Sequence, residues 1–102
     1  MHPIWLARLD KTRPVLLLTR EEVRAVRHLI TVAPITSRAR GLQSEVAVGQ
    51  RNGLDQDCVV DLDSIVTVPR DVLIRPLGAL LDDQERDLTR AFHEAFDLAD
   101  LA

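Results

Sequence analysis

The chain has 102 residues, of which 46% are hydrophobic, and this length suits one compact domain, residues 1–102, rather than two. Its one cysteine excludes an internal disulfide, and the sequence has neither a secretory signal pattern nor an apolar run near the roughly 20 residues of a membrane span. The formal net charge of −3 by itself argues against a nucleic-acid binder. We therefore expect a cytoplasmic protein with no membrane association.

Seven short segments rich in β-branched or bulky apolar residues are typical of strands. In chain order they cover residues 4–9, 15–18, 28–35, 45–48, 58–60, 65–69 and 72–74. Pro14 keeps Arg13 extended at the entrance to the second segment. The Asn52 and Gly53 pair marks a turn between the fourth and fifth segments.

Two segments have helical patterns. Thr19 and Glu22 have the spacing of a capping box, which predicts about two helical turns over residues 20–25. From about Asp82, apolar residues recur at helical spacing behind an acidic first turn: Leu88, Ala91, Phe92, Ala95 and Ala99. Five to seven short strands with a short early helix and a C-terminal amphipathic helix describe a mainly β, highly curved small barrel.

The charges are distributed unevenly along the chain. Residues 1–52 contain nine basic and four acidic residues, a net of +5, whereas residues 53–102 contain four and twelve, a net of −8. The basic half can line a groove that attracts phosphate. It is equally consistent with scattered charges that only keep the surface hydrated.

Four sequence blocks occur in the order and spacing of one family. They are IWLARLD at 4–10, KTRPVLLL at 11–18, ITSRAR at 35–40 and CVVDLDSIVTV at 58–68. In these blocks the chain resembles the MazF/PemK toxins of type II toxin–antitoxin systems. The resemblance implies an SH3-like or CcdB-like barrel and a homodimer. It also implies an endoribonuclease that cuts single-stranded mRNA without metal or cofactor, leaving 2′,3′-cyclic phosphate and 5′-hydroxyl ends.

The resemblance places the catalytic pair on Arg13 and Thr36. The planar guanidinium of Arg13 is permanently charged, so it can stabilise the negative charge that builds on the phosphoryl oxygens during attack by the 2′-oxygen. Thr36 would orient the phosphate. From the residues alone, Arg13 is also explained as a surface arginine at a strand end. Thr36 is likewise explained as a threonine that bonds its own backbone.

Further candidates lie close to the catalytic pair in sequence. Lys11, Ser37, Arg38 and Arg40 are candidate RNA contacts, although a hydrated loop explains the arginines equally well. His28 has a suitable side chain for proton transfer, but its place at a strand start also fits a structural histidine. The spacing of His and Cys predicts no metal site.

Two departures from the family pattern and two rival functions stay open. The loop between the first two strands is reduced to about residues 10–12, and Ser64 stands where the family usually has a glutamine that can read a base. A CcdB-like inhibitor of DNA gyrase is one rival, although residues 98–102 lack the Trp-Gly-Ile ending associated with it. The other is a catalytically weak dimer that only binds antitoxin. The expected partner is a MazE-like antitoxin with an acidic C-terminal tail.

Overall fold

The computed structural model describes residues 1–99, which fold as seven strands and two α-helices. The strands are β1 (Pro3–Arg8), β2 (Thr12–Leu17), β3 (Leu29–Thr36), β4 (Glu45–Val48), β5 (Cys58–Asp61), β6 (Val66–Pro69) and β7 (Leu73–Ala79). The helices are α1 (Glu21–Arg24) and α2 (Asp82–Phe96). The predicted mainly β class, with a short early helix and a C-terminal helix, is confirmed. Within residues 1–99, no helix is long and apolar enough to cross a membrane.

All strand pairs are antiparallel, and the sheet order is β4-β5-β3-β2-β1-β7. One edge of β3 serves two partners, because β6 pairs with residues 29–32 and β5 pairs with residues 35–36. A chain that changes partners along one edge bends the sheet, as small barrels require. The end of β3 that pairs with β5 is the end at which Thr36 lies.

Gly53 and Gly78 bring the two ends of the sheet into contact. A Cβ on Gly53 would lie 2.0 Å from the carbonyl oxygen of Leu77, and one on Gly78 would lie 2.1 Å from that of Asn52. Gly53 also has φ +85°, which favours glycine. The turn after β4 therefore packs directly on β7, and this contact closes the curled sheet into a barrel-like ring.

Side chains are buried on both faces of the sheet. Along β2, Leu16 joins one apolar cluster, whereas Val15 and Leu17 join the other. A continuous apolar run is expected of such a strand, so the predicted central position of β2 is confirmed. Leu88 and Ala91 bury the apolar face of α2 against the first cluster, as its periodicity predicts.

Three local predictions are wrong. Ala99 was predicted to continue the apolar face of α2, but the helix ends at Phe96 and Asp97 follows it with φ 53°, outside the helical region. Thr19 does not cap α1, because its Oγ1 accepts a hydrogen bond from the Thr31 N–H at 2.8 Å, and the helix shortens to four residues. The last strand is longer than predicted, since β7 continues to Ala79 through Pro76. A proline is tolerated there because β7 is an edge strand that pairs with β1 alone.

Candidate functional site

Arg13 at the start of β2 and Thr36 at the end of β3 lie on neighbouring strands. The paired register runs from Leu17 with Val32 to Val15 with Pro34, and the same alignment continued by two residues brings Arg13 and Thr36 to the same end of the sheet. Both side chains line one cleft of about 510 Å³, which we call the main cleft. The structure thus brings the sequence-predicted pair together on one surface.

The main cleft lies where the curled sheet closes. Its lining combines three chemistries that come from separate parts of the chain. The basic members are Lys11, Arg13 and Arg75; the hydroxyl members are Thr12, Thr36 and Ser37. The turn 53–57 contributes Asp55 and Gln56, and the apolar lining is Leu6, Pro14, Ile35, Leu54, Cys58 and Leu77. A concave site with an apolar lining and a few polar groups is typical of ligand binding.

Arg13 is held by Asp10, a residue of the loop between the first two strands. Its Nη2 donates to Asp10 Oδ2 at 3.0 Å, and its side chain is 20% exposed, whereas that of Asp10 is 73% exposed. Arg13 Nε is buried and has no hydrogen-bond partner within residues 1–99. Desolvation raises the pKa of Asp10, but the Lys11 backbone N–H and the Arg13 guanidinium outweigh it and hold the pKa below 3.8. Asp10 is therefore ionised at neutral pH.

The Thr36 hydroxyl makes the local backbone bond that its sequence position suggests. Its Oγ1 accepts from the Arg38 N–H at 3.1 Å. This bond uses a lone pair and leaves the hydroxyl proton available. Thr36 can therefore be held in place by its own loop and still donate to a ligand in the main cleft.

The two candidate loop arginines have different surroundings. Arg13 and Thr36 also line a second cleft of about 440 Å³, together with Arg38 and Arg40. Arg40 Nη2 lies 3.3 Å from Asp61 Oδ2, and Arg40 Nε lies 3.7 Å from Glu45 Oε2. These carboxylates neutralise Arg40, which makes it a structural cation that closes the loop.

His28 does not join the catalytic pair within one chain. It is exposed and directly precedes β3, whereas Thr36 ends that strand. An eight-residue strand spans roughly 26 Å at about 3.3 Å per residue. Asp10, which touches Arg13, is the titratable group that the structure offers in its place.

Sequence reasoning also missed Arg75. Leu6 of β1 pairs with Pro14 of β2 on one side and with Arg75 of β7 on the other. Arg75 therefore lies across β1 from the start of β2. One sequence signal was present, since Arg75 precedes a proline just as Arg13 does. Within residues 1–99, Arg75 has no ion pair or side-chain hydrogen bond. Its charge is thus available to a ligand.

The described part of the chain, residues 1–99, contains no group of three His, Cys, Asp or Glu side chains that could hold a metal ion. Cys58 lines the main cleft and is partly buried. Burial, and then the charge of Asp57, raise the pKa of its thiol above 9.0, so it stays protonated at neutral pH.

Comparison with known proteins gives consistent matches over nearly the whole chain. A family model described as PemK-like, MazF-like toxin of type II toxin-antitoxin system matches residues 3–96. Endoribonuclease MazF3 of Mycobacterium tuberculosis is 52% identical over 98 residues, covering 96% of this chain and 95% of that protein. Probable endoribonuclease MazF2 of the same species is 39% identical over 69 residues, covering 67% and 68%.

Solved structures agree with the sequence matches. Mycobacterium tuberculosis toxin MazF-mt6 superposes with a TM-score of 0.93 at 51% identity, covering 96% of this chain and 99% of that one. An endoribonuclease in complex with its cognate antitoxin, from a mycobacterial species, superposes with a TM-score of 0.84. At 20% identity over 96% of this chain and 94% of that one, the second match shows the fold alone.

Proposed function

Because the chain belongs to the PemK-like, MazF-like family of toxins of type II toxin–antitoxin systems, we propose that it cuts single-stranded mRNA by an internal transesterification. The products are a 2′,3′-cyclic phosphate and a 5′-hydroxyl. The observation that carries the proposal is the placement of Arg13 and Thr36, from the neighbouring strands β2 and β3, in the lining of one cleft. The substrate supplies its own nucleophile, so these side chains need only stabilise charge and move protons.

Arg13 stabilises the charge that develops in the transition state. The 2′-oxygen attacks the adjacent phosphorus while the bond from phosphorus to the 5′-oxygen breaks, and negative charge builds on the two other phosphoryl oxygens. A guanidinium donates to such oxygens through two parallel N–H bonds. Arg13 lines the main cleft, and its Nη2 already donates to a carboxylate oxygen of Asp10.

Thr36 and Asp10 supply the remaining functions. The Thr36 hydroxyl donates its free proton to a phosphoryl oxygen while the Arg38 N–H holds its oxygen. Asp10 is the ionised carboxylate beside the Arg13 guanidinium and accepts the proton of the 2′-hydroxyl, directly or through one water, while the departing 5′-oxygen takes its proton from solvent. Before RNA binds, the same carboxylate orients Arg13.

Neighbouring phosphates contact the cations beside this pair. Lys11 and Ser37 line the main cleft, and Arg38 lines the second cleft on the other side of Arg13. RNA crossing both clefts passes Arg13 and Thr36 at their shared border. Arg40 contributes by shaping the loop, because its charge is already paired.

We infer a homodimer that is inhibited by a MazE-like antitoxin with an acidic C-terminal tail. Apolar side chains that a single chain leaves exposed support the dimer: Val26, Leu29, Val66 and Ile74. The basic lining of the main cleft favours an acidic peptide that competes with RNA. We place the toxin in the cytoplasm, where mRNA is found. We also propose that residues 1–102 form one toxin domain.

The test is cleavage of a long RNA in EDTA, with chemical mapping of the new ends. We expect cyclic phosphate termini with the wild-type protein. Arg13→Gln should lower the rate on the order of 100-fold to 1000-fold, as loss of a transition-state donor does elsewhere. Arg86→Gln is the matched control, because Arg86 is an exposed helix residue outside both clefts. Full activity of a folded Arg13→Gln protein, or gyrase inhibition without RNA cleavage, would contradict the proposal.

A further inference from the structure

We propose that Asp55 and Gln56 form a base-reading edge of the main cleft and select, beside the cleaved bond, an RNA base that carries an exocyclic amino group. Cytosine, adenine and guanine have such a group. Uracil has none and should therefore be disfavoured. The inference rests on the proposed RNA cleavage and deepens it by naming a substrate preference.

Asp55 and Gln56 line the same cleft as Arg13 and Thr36. Both are exposed, and within residues 1–99 neither side chain forms a hydrogen bond or ion pair. The three cations of the cleft therefore leave Asp55 unpaired. Its carboxylate has its acceptor capacity available for a ligand.

The turn that carries these two residues is held rigidly at its base. Gly53 packs against the Leu77 carbonyl, Leu54 is buried, and the Leu54 N–H donates to the Gly49 carbonyl at 3.3 Å. A recognition group placed on a supported turn loses less conformational entropy on binding than one on a free loop. The turn thus presents the carboxylate and the amide in one place relative to Arg13.

The polar groups of the cleft are segregated. Its cations and hydroxyls come from residues 11–13, 36–37 and Arg75, whereas its carboxylate and amide come from the turn 53–57 alone. Apolar side chains, including Leu54 and Leu77, line the same cleft. A nucleotide has the matching order, with a charged phosphate, then a flat base, then a polar base edge. A carboxylate disfavours a second phosphate at the turn and favours a group that donates hydrogen bonds.

The partner chemistry follows from what a carboxylate can accept. The carboxylate of Asp55 has acceptors and no donor, and on a base edge the matching donor is an amino group such as N4 of cytosine. Uracil presents the O4 acceptor at that place, and two acceptors repel each other. The Gln56 amide both donates and accepts, so it can bind the ring nitrogen or carbonyl beside the amine.

The experiment compares short RNAs that differ only in having cytosine or uracil at the positions flanking the cleaved bond. We expect wild-type kcat/KM to favour cytosine on the order of tenfold, the size of one good base contact. Asp55→Asn should remove or reverse this preference, because its amide can donate to O4 of uracil. Asp57→Asn is the matched control, since it makes the same charge change in the same turn but Asp57 lines another surface.

Binding of the same oligonucleotides with a 2′-deoxy sugar at the cleaved position gives a readout that does not need catalysis. The cytosine preference should persist in Kd and should again depend on Asp55. Equal cleavage of both RNAs, or a preference unchanged in Asp55→Asn, would overturn the inference and leave the proposed function standing. Absence of all cleavage with an Asp55-dependent binding preference would instead overturn the nuclease mechanism alone.

Discussion

The side-chain amides of Asn52 and Gln84 bind each other through two hydrogen bonds. Asn52 Nδ2 donates to Gln84 Oε1 at 2.6 Å, and Gln84 Nε2 donates to Asn52 Oδ1 at 3.0 Å. The two residues are only 2% and 7% exposed. The two amides also form hydrogen bonds with backbone groups of Ala47, Gly49, Ala79 and Leu81. One amide pair thus joins the start of α2 to the segments that close the barrel.

Removing either amide should destabilise the fold. In Asn52→Ala, each amide atom of Gln84 loses one of its two hydrogen bonds, and the Gly49 N–H and the Ala79 carbonyl lose their bonds to Asn52, which we expect to lower the free energy of unfolding by about 2–3 kcal/mol. Asn52→Ala with Gln84→Ala should cost less than the sum of the two single changes, because the partners are lost together. Urea denaturation measures all three, and Gln50→Ala, an exposed neighbour, should change stability by less than about 0.5 kcal/mol. Additive effects would mean that the two amides act separately.

Gly78→Ala should open the barrel closure. Its new Cβ would lie 2.1 Å from the Asn52 carbonyl oxygen, so the turn after β4 must move away from β7. We expect a loss of about 2 kcal/mol or more in thermal or urea unfolding, together with a drop in RNA cleavage. Gly41→Ala is a useful comparison, because Gly41 has φ +72° but no atom within 4 Å of the new Cβ. Equal activity of both variants would show that the closure contact does not shape the cleft.

Arg75→Gln should weaken RNA binding without changing the fold. The variant removes one available cation from the main cleft, so log Kd for an uncleavable RNA should depend less steeply on log salt, by about 0.7. The reduction in affinity should be similar for different sequences, as expected of a phosphate contact. Arg86→Gln should leave the salt slope unchanged, and an unchanged slope in Arg75→Gln would remove Arg75 from the RNA path.

Glu85 should contribute stability that acid removes. Its two oxygens accept from the His2 backbone N–H and from His2 Nδ1, both at 2.7 Å. Desolvation raises the pKa of Glu85, but these bonds and the His2 charge outweigh it and hold the pKa below 4.5. A carboxyl with a lowered folded pKa stabilises the fold above its unfolded pKa, and this stabilisation is lost as pH falls through the folded value.

Glu85→Gln should therefore lower the free energy of unfolding by about 1 kcal/mol near pH 7 and change it little at the lowest pH of the series. Urea unfolding at several pH values from neutral to below 4.5 measures the difference. Glu94→Gln, an exposed change on the same helix, serves as the control. A constant difference between wild type and Glu85→Gln at every pH would contradict the assignment.

Local patterns predicted much of the fold. The apolar run 15–18 identified a strand buried on both faces, and the spacing of Leu88 and Ala91 identified the buried face of α2. Thr19 misled because its hydroxyl had two possible partners, the α1 backbone and the Thr31 N–H, and pairing with β3 decided between them. A capping pattern read from neighbouring residues does not include a donor on a distant strand.

The candidate site was predictable only where resemblance supplied positions. The resemblance named Arg13 and Thr36, and the structure places both in the lining of one cleft, while their catalytic role stays a prediction. Arg75 was missed because it reaches the cleft through the pairing of β7 with β1, and Asp55 and Gln56 were missed because the turn that carries them packs on β7. His28 was a poor candidate for a related reason, since sequence does not say which end of a strand meets the cleft.

The contact of Gly53 with Leu77 also joins residues that are synthesised at different times. A ribosome that has made the first sixty residues has already produced Arg13, Thr36 and Asp55, but β7 does not yet exist. The cleft is complete only after residues 73–79 have emerged and paired with β1. We therefore expect the full cleft to form late in synthesis, after most of the chain has been made.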